Sequence, residues 1–393
     1  MIRSFLSVST SVWRMSMAQG VSMTVMNVNI INTGLAGAIL APELWMATLP
    51  LSLQFVAVML ATLPASLLMA RVGRRLVFLC GVAISITATM IQALAIITGQ
   101  FGLFVMGSVL LGVAHGVAQF YRYAAADGLP DQEKPKAVSF VLVGGLAAAL
   151  IGPEIAYRFV DAVEGARYAG AFIAAGVLHL LGFVILAGMD SPKPPQSAHA
   201  GRDMSVFFAL PGFRLGLVAA ALGYAVMSFL MTATPLQIVN VSQLGVAENA
   251  RVIQWHVIAM FAPSFFTGHL IARFGIRQVM MAGLVMYGLC IFAALSGTAF
   301  WDYFAALLLL GLGWNFLYVS GSALIARLAE PEERGRVQGV ADLFIFAAVA
   351  FASLSAGALH SIIGWSGLVL SCLVPVAVIG FVVLMTSQTA LRA

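Results

Sequence analysis

Two stretches decide the fold: Ser66-Leu67-Leu68-Met69-Ala70-Arg71-Val72-Gly73-Arg74-Arg75 and Gly268-His269-Leu270-Ile271-Ala272-Arg273-Phe274-Gly275-Ile276-Arg277. Arg71, Gly73 and Arg75 return as Arg273, Gly275 and Arg277, each 202 residues later. A second pair repeats at nearly the same offset. Leu129-Pro130-Asp131-Gln132-Glu133-Lys134-Pro135-Lys136 parallels Glu330-Pro331-Glu332-Glu333-Arg334-Gly335-Arg336. Two matched stretches at one spacing mark an internal duplication. Between the halves lies Asp190 to Ser205, reading DSPKPPQSAHAGRDMS, whose polar and proline-bearing composition suits a solvated linker.

Each half is almost entirely apolar. Hydrophobic residues make up 61% of the 393 and charged residues only 9%, far from the balance of a water-soluble chain. The apolar runs are continuous rather than alternating, and each is long enough to cross a hydrocarbon core as a helix. Twelve are expected. They run from Arg14 to Leu40, Trp45 to Ala70, Leu76 to Ile97, Phe101 to Ala126, Val138 to Phe159 and Tyr168 to Met189. The second half continues with Gly212 to Ile238, Asn249 to Ala272, Val279 to Ser296, Tyr303 to Ala329, Val337 to Ile363 and Leu368 to Met385. The first run is long and has no small-residue cleavage pattern, so it reads as helix 1 rather than a removable signal.

The expected fold class is therefore an all-α membrane protein of two pseudo-symmetric six-helix bundles. Residues 1–189 and 206–393 form the bundles, and 190–205 the cytoplasmic linker. With both termini cytoplasmic, all but Arg158, Arg167 and Arg251 of the 20 Lys and Arg fall on the inner side. That asymmetry is the positive-inside signature, and it accounts for the net charge of +5 without a nucleic-acid partner. Cys80, Cys290 and Cys372 lie in apolar runs without a CxxC pair, which argues against a disulfide or zinc site. No HExxH, GxSxG or Walker loop is present, so an enzyme is not expected.

The repeated loop resembles the major facilitator motif G-x-x-x-D-R-x-G-R-R. Arg71, Gly73, Arg74 and Arg75 match it in the first half, and Gly268, Arg273, Gly275 and Arg277 in the second. Ala70 and Ala272 replace its aspartate and Ser66 its first glycine. The resemblance implies a conformational role for these arginines, beside the simpler one of fixing topology. With no aspartate to pair with, Arg71 and Arg273 are expected to brace neighbouring helix C-termini, where the dipole favours cations.

Polar groups inside apolar helices are expensive and so are site candidates. In the major facilitator fold, helices 1, 4, 7 and 10 resemble a cavity lining. That makes Met23, Met26, Asn27, His115, Gln119 and Asn315 candidate cavity-lining residues, with helix packing as the competing role. Glu154 and Arg158 are four apart on one helix face and suited to pair. Gly152-Pro153 resembles part of the helix 5 motif of drug–proton antiporters, from which Ile155 and Ala156 depart.

A sharper pattern sits in helices 7 and 8. Met227 and Met231 are spaced i, i+4, and so are His256 and Met260. A chain with 19 Met yields one such Met pair by chance, and buried Met is usually filler. The register adds to the pattern. In a hairpin turning near Leu244, Met231 is level with His256, and Met227 with Met260. Three thioethers and an imidazole are a soft, neutral set that favours Cu(I). The spacing resembles the CcoA-type copper importers of the CalT family, in which these pairs are copper-essential. The resemblance implies copper uptake across the bacterial inner membrane for cuproenzyme assembly, notably of cbb3-type oxidase. A monomer in the bilayer is expected, with copper as the transported ion and no resident cofactor. Close relatives in that family resemble riboflavin importers. Riboflavin or another small organic solute therefore stands as the alternative, with drug efflux behind it.

Overall fold

The computed structural model describes residues 10–125, 129, 134–189, 202–330 and 333–387. Among these the chain is helical, without a strand. The first half gives α1 (Thr10–Leu40), α2 (Leu49–Val72), α3 (Arg74–Thr98), α4 (Phe101–Ala118), α5 (Lys134–Arg158) and α6 (Ala169–Ala187). The second gives α7 (Pro211–Leu236), α8 in two pieces (Val246–Phe261 and Ser264–Phe274), α9 (Ile276–Ser296) and α10 (Phe300–Leu328). Two segments follow, Arg334–Ser371 and Leu373–Met385. Gly364, at φ 66°, breaks the first of them, so α11 ends there and α12 runs on through Leu373–Met385.

Nine helices among the described residues are long and apolar enough to span a membrane, and the bent α8 pair makes ten. One of the nine, Arg336–Met385, is two crossings once divided at Gly364. With α5 this gives the twelve transmembrane helices of the fold. The chain divides into two compact units, Met1–Gln196 and Ser197–Ala393. Residues 190–201 of the expected linker lie outside the described residues, as do residues 130–133 of the loop at 129–136. Within the remainder of the linker, Asp203 Oδ1 accepts from the Ser205 N–H at 2.8 Å and caps a short helix, Met204–Ala209. Helical structure thus resumes inside the stretch read as linker.

In unit 1, α1 packs on α5 and α6, and α4 on α2 and α3. In unit 2, α10 packs on α7, α8 and α9, and α7 also on α11. The repeated turns are alike in backbone. Gly73 (φ 90°, ψ 155°) ends α2 and starts α3, and Gly275 (φ 90°, ψ 156°) joins α8 to α9. Only glycine enters that region without strain, which is why the turn keeps it in both halves.

The motif's arginines do brace helix ends, but not the pair expected. Arg75 Nη2 donates to the Ala187 carbonyl at 2.6 Å, at the end of α6. Arg277 Nη2 donates to the Leu384 carbonyl at 3.0 Å, at the end of α12. Arg71 is exposed, and the Arg273 guanidinium lies over the Phe274 ring at 5.3 Å. Arg75 and Arg277 have crossed the turn into the next helix, which brings them beside C-terminal carbonyls that have no donor of their own.

Candidate functional site

The hairpin turn after α7 falls at Ser242–Gly245, where the register argument needs it. Met227, Met231, His256 and Met260 are all buried. The helices bearing them do not stay together, however. α10 packs along both α7 and α8, while α8 meets the α7 strand of chain mainly at its terminal π-helical turn, Gln237–Val241. Equal depth on the two helices is therefore not the same as helix-to-helix packing, and the contacts that hold both pairs in place run through α10. The missing element in the sequence argument is α10, which is distant in sequence from both.

His256 is held firmly. Its ring Nδ1 lies 2.7 Å from the Leu307 carbonyl of α10, so it carries the proton and donates it. Nε2 is then the lone-pair nitrogen, buried and without a hydrogen-bond partner among the described residues. A metal-binding imidazole is commonly fixed in this way, by donation from its second nitrogen to a carbonyl. No group of three or more His, Cys, Asp or Glu side chains among the described residues is placed to hold a metal.

Asn315 proves to be a clasp rather than a lining residue. α8 bends by 43° at Ala262–Pro263, where the proline brings no N–H. Asn315 Nδ2 donates to the Met260 carbonyl at 2.6 Å and to Ser264 Oγ at 2.7 Å. Its Oδ1 accepts from Thr267 Oγ1 at 2.6 Å. One buried amide thereby ties both pieces of α8 to α10.

Unit 1 shows the same scaffold with different contents. A Cβ at Gly112 would stand 2.3 Å from the Gln54 carbonyl, and one at Gly311 would stand 2.5 Å from the His256 carbonyl. Gln54 of α2 and His256 of α8 therefore hold equivalent places, as do His115 and Trp314, each three residues after its glycine. Gln54 Nε2 lies 3.3 Å from Met26 Sδ and 3.2 Å from His115 Nδ1. His115 Nε2 has no hydrogen-bond partner among the described residues. Met23 and Met26 lie on the half-buried stripe of α1. Asn27 does not: it is buried and donates to the Ala148 carbonyl of α5 at 3.0 Å, a packing role. Gln119 is half-buried at the end of α4, where its N–H meets the His115 carbonyl. Glu154 and Arg158 do pair, at 2.8 Å, but in the open at the end of α5.

Three features escaped the sequence. Gln237, Ser242, Tyr303 and His360 form a hydrogen-bonded chain around the π-helical turn. His179 meets Ser85 at 3.0 Å between α6 and α3. Tyr224, Trp314 and Tyr318 form an aromatic cluster, extended by Phe261 and Phe346. Trp314, His179, Gln237 and His360 carried the same signal, as polar-tipped side chains in apolar helices. The others needed partners far away in the chain.

Two repeated helical units, each rich in helices long and apolar enough to span a membrane and each holding a few buried polar groups, define a multi-pass membrane protein. The chain belongs to the Major Facilitator Superfamily, whose family model matches residues 15–254 and 252–391. It is 38% identical over 336 residues to the riboflavin transporter RfnT of Brucella anthropi, covering 84% of each chain. It is 27% identical over 337 residues to the uncharacterized MFS-type transporter YddS of Bacillus subtilis, covering 78% of this chain and 76% of that one. Among solved structures, the nucleoside transporter NupG (D323A mutant) matches with a TM-score of 0.72 at 12% identity, over 95% of this chain and 99% of that one. That likeness concerns the fold alone.

Proposed function

We propose that this transporter imports riboflavin or a closely related flavin across the bacterial inner membrane. Both termini are cytoplasmic in this reading, and alternating access comes from rocking of the two bundles. The observation that carries it is the 38% identity to a riboflavin transporter over 84% of both chains. The arginine asymmetry supports the orientation.

Copper import, the first expectation from the sequence, becomes the second reading. It is favoured by His256, whose Nδ1 is fixed on Leu307 while the buried Nε2 is left without a hydrogen-bond partner, one turn before Met260. Uptake by cells expressing the chain separates the two. Accumulation of labelled riboflavin, undiminished by Met227→Leu and Met231→Leu together, supports the flavin reading. Copper accumulation without riboflavin uptake, lost in the same double variant at normal protein abundance, would replace it with the copper reading.

A further inference from the structure

We infer that unit 2 holds a binding site for a planar aromatic heterocycle, built from Tyr224, Trp314 and Tyr318 with the Trp314 indole N–H as its hydrogen-bond donor. Trp314 and Tyr318 are four apart on α10, and their rings stack at 4.9 Å and 10°. Tyr224 of α7 stands edge-on to both, at 5.3 Å and 77° from Trp314 and at 5.5 Å and 79° from Tyr318. The cluster thus presents both a parallel stack and ring edges, the two geometries in which aromatic rings attract.

The indole nitrogen makes this more than packing. Trp314 is only 4% exposed, and its Nε1–H has no acceptor among the described residues. Buried tryptophan N–H groups normally find one, because a donor withheld from both water and protein is costly. His115, at the equivalent place in unit 1, does find a neighbour in Gln54. Tyr224 and Tyr318 are half-buried, so the cluster is not sealed. A guest that satisfies this site has a flat π face and a carbonyl or ring-nitrogen acceptor at its edge. A metal cation does not suit it, since an indole N–H only donates. The isoalloxazine ring carries both features, so the inference rests on the flavin reading and locates part of its site.

The test is binding of riboflavin and of lumichrome, its flat ring system without the ribityl chain, to the purified full chain, read by quenching of flavin emission. Wild-type protein should quench both. Trp314→Phe keeps an aromatic ring, smaller than the indole, and removes the donor, and should weaken both affinities about tenfold in protein that remains folded. Tyr318→Leu, at a half-buried position, should weaken them by a similar factor. Binding unchanged in both variants, or no binding of either probe by the wild type, overturns the inference. Uptake is measured separately. Variant-sensitive lumichrome binding without riboflavin uptake supports this site and overturns the transport reading. Riboflavin uptake with binding untouched by the variants does the reverse.

Discussion

Where α2 of the first unit carries Gln54, α8 of the second carries His256, and around that exchange the two interiors diverge. Unit 1 is held by amides: Asn27 reaches Ala148, Asn32 reaches Ala156 at 3.1 Å, and Gln92 joins Asn29 to Ser108. Unit 2 keeps amides at Asn315 and Gln237 and adds hydroxyls and rings: Thr232 meets Ser353 at 3.0 Å, and the Tyr287 hydroxyl donates to Gly223 at 2.6 Å. Helices in a bilayer gain nothing from burying apolar surface against one another, so close packing and hydrogen bonds must hold them. The two units meet that demand with different chemistry on one frame. The turns and their arginines are shared; the interior is where the halves specialise.

The sharpest way to break this comparison is at the α8 break, where α2 instead runs as one helix over Leu49–Val72. Asn315→Ala removes three hydrogen bonds at about 1 kcal/mol each, so a loss of about 3 kcal/mol is expected in equilibrium unfolding. Little loss there would mean that α8 holds its bend without the clasp. Next come Gly73→Ala and Gly275→Ala, each expected to cost about 1–2 kcal/mol for strain at φ 90°. The two losses should agree, and thermal melts of both variants compare the turns directly. A large difference between them would separate the halves at the level of the backbone as well.

A third prediction concerns the loop before α11. Glu333 accepts from the Arg202 guanidinium at 2.6 Å and from the Arg202 and Glu330 N–H groups at 2.7 and 3.1 Å. These hydrogen bonds, Arg202's first, hold its carboxyl down to about 2 from an ordinary 4.5. The lowered value means that this stabilisation is complete above about pH 4.5 and fades as pH falls toward 2. Melting midpoints across that range should lose part of their slope in Glu333→Gln, and an unchanged slope would remove the latch from the account. The smallest effect is expected for Arg75→Lys and Arg277→Lys, about 0.3–1 kcal/mol each, since both donate from exposed positions to helix ends. Equal small shifts in the melting midpoint would confirm that the two caps are interchangeable; a loss at one only would show that they are not.

Much of the frame was legible because it is written locally. Gly73 and Gly275 announce a backbone state that only glycine reaches, and their repetition announces two units. The Glu154–Arg158 pair was legible for the same reason, being one turn apart. The interior was not. Asn27 and Asn315 look alike in sequence, and either a solute or a helix carbonyl would satisfy them; the carbonyls that do, Ala148 and Met260, are distant in sequence. The Met and His spacing placed each pair on its own helix, but the packing of α10 against both α7 and α8 was beyond any reading of the hairpin alone. Helix-end bonds expected of Arg71 and Arg273 are made instead by Arg75 and Arg277, because four residues across the glycine turn decide which helix end a guanidinium meets.

Gly73 ends one helix and begins the next with nothing between them. A turn of a single residue leaves no slack in phase. One inserted amino acid after it would rotate α3 by about 100° around its own axis. Leu76 and Leu94, now facing outward, would be carried off that face, and buried Gln92 would leave its partners Asn29 and Ser108. Length at this turn is thus as strictly constrained as composition, and insertion scanning should find it far less tolerant than the polar stretch joining the halves.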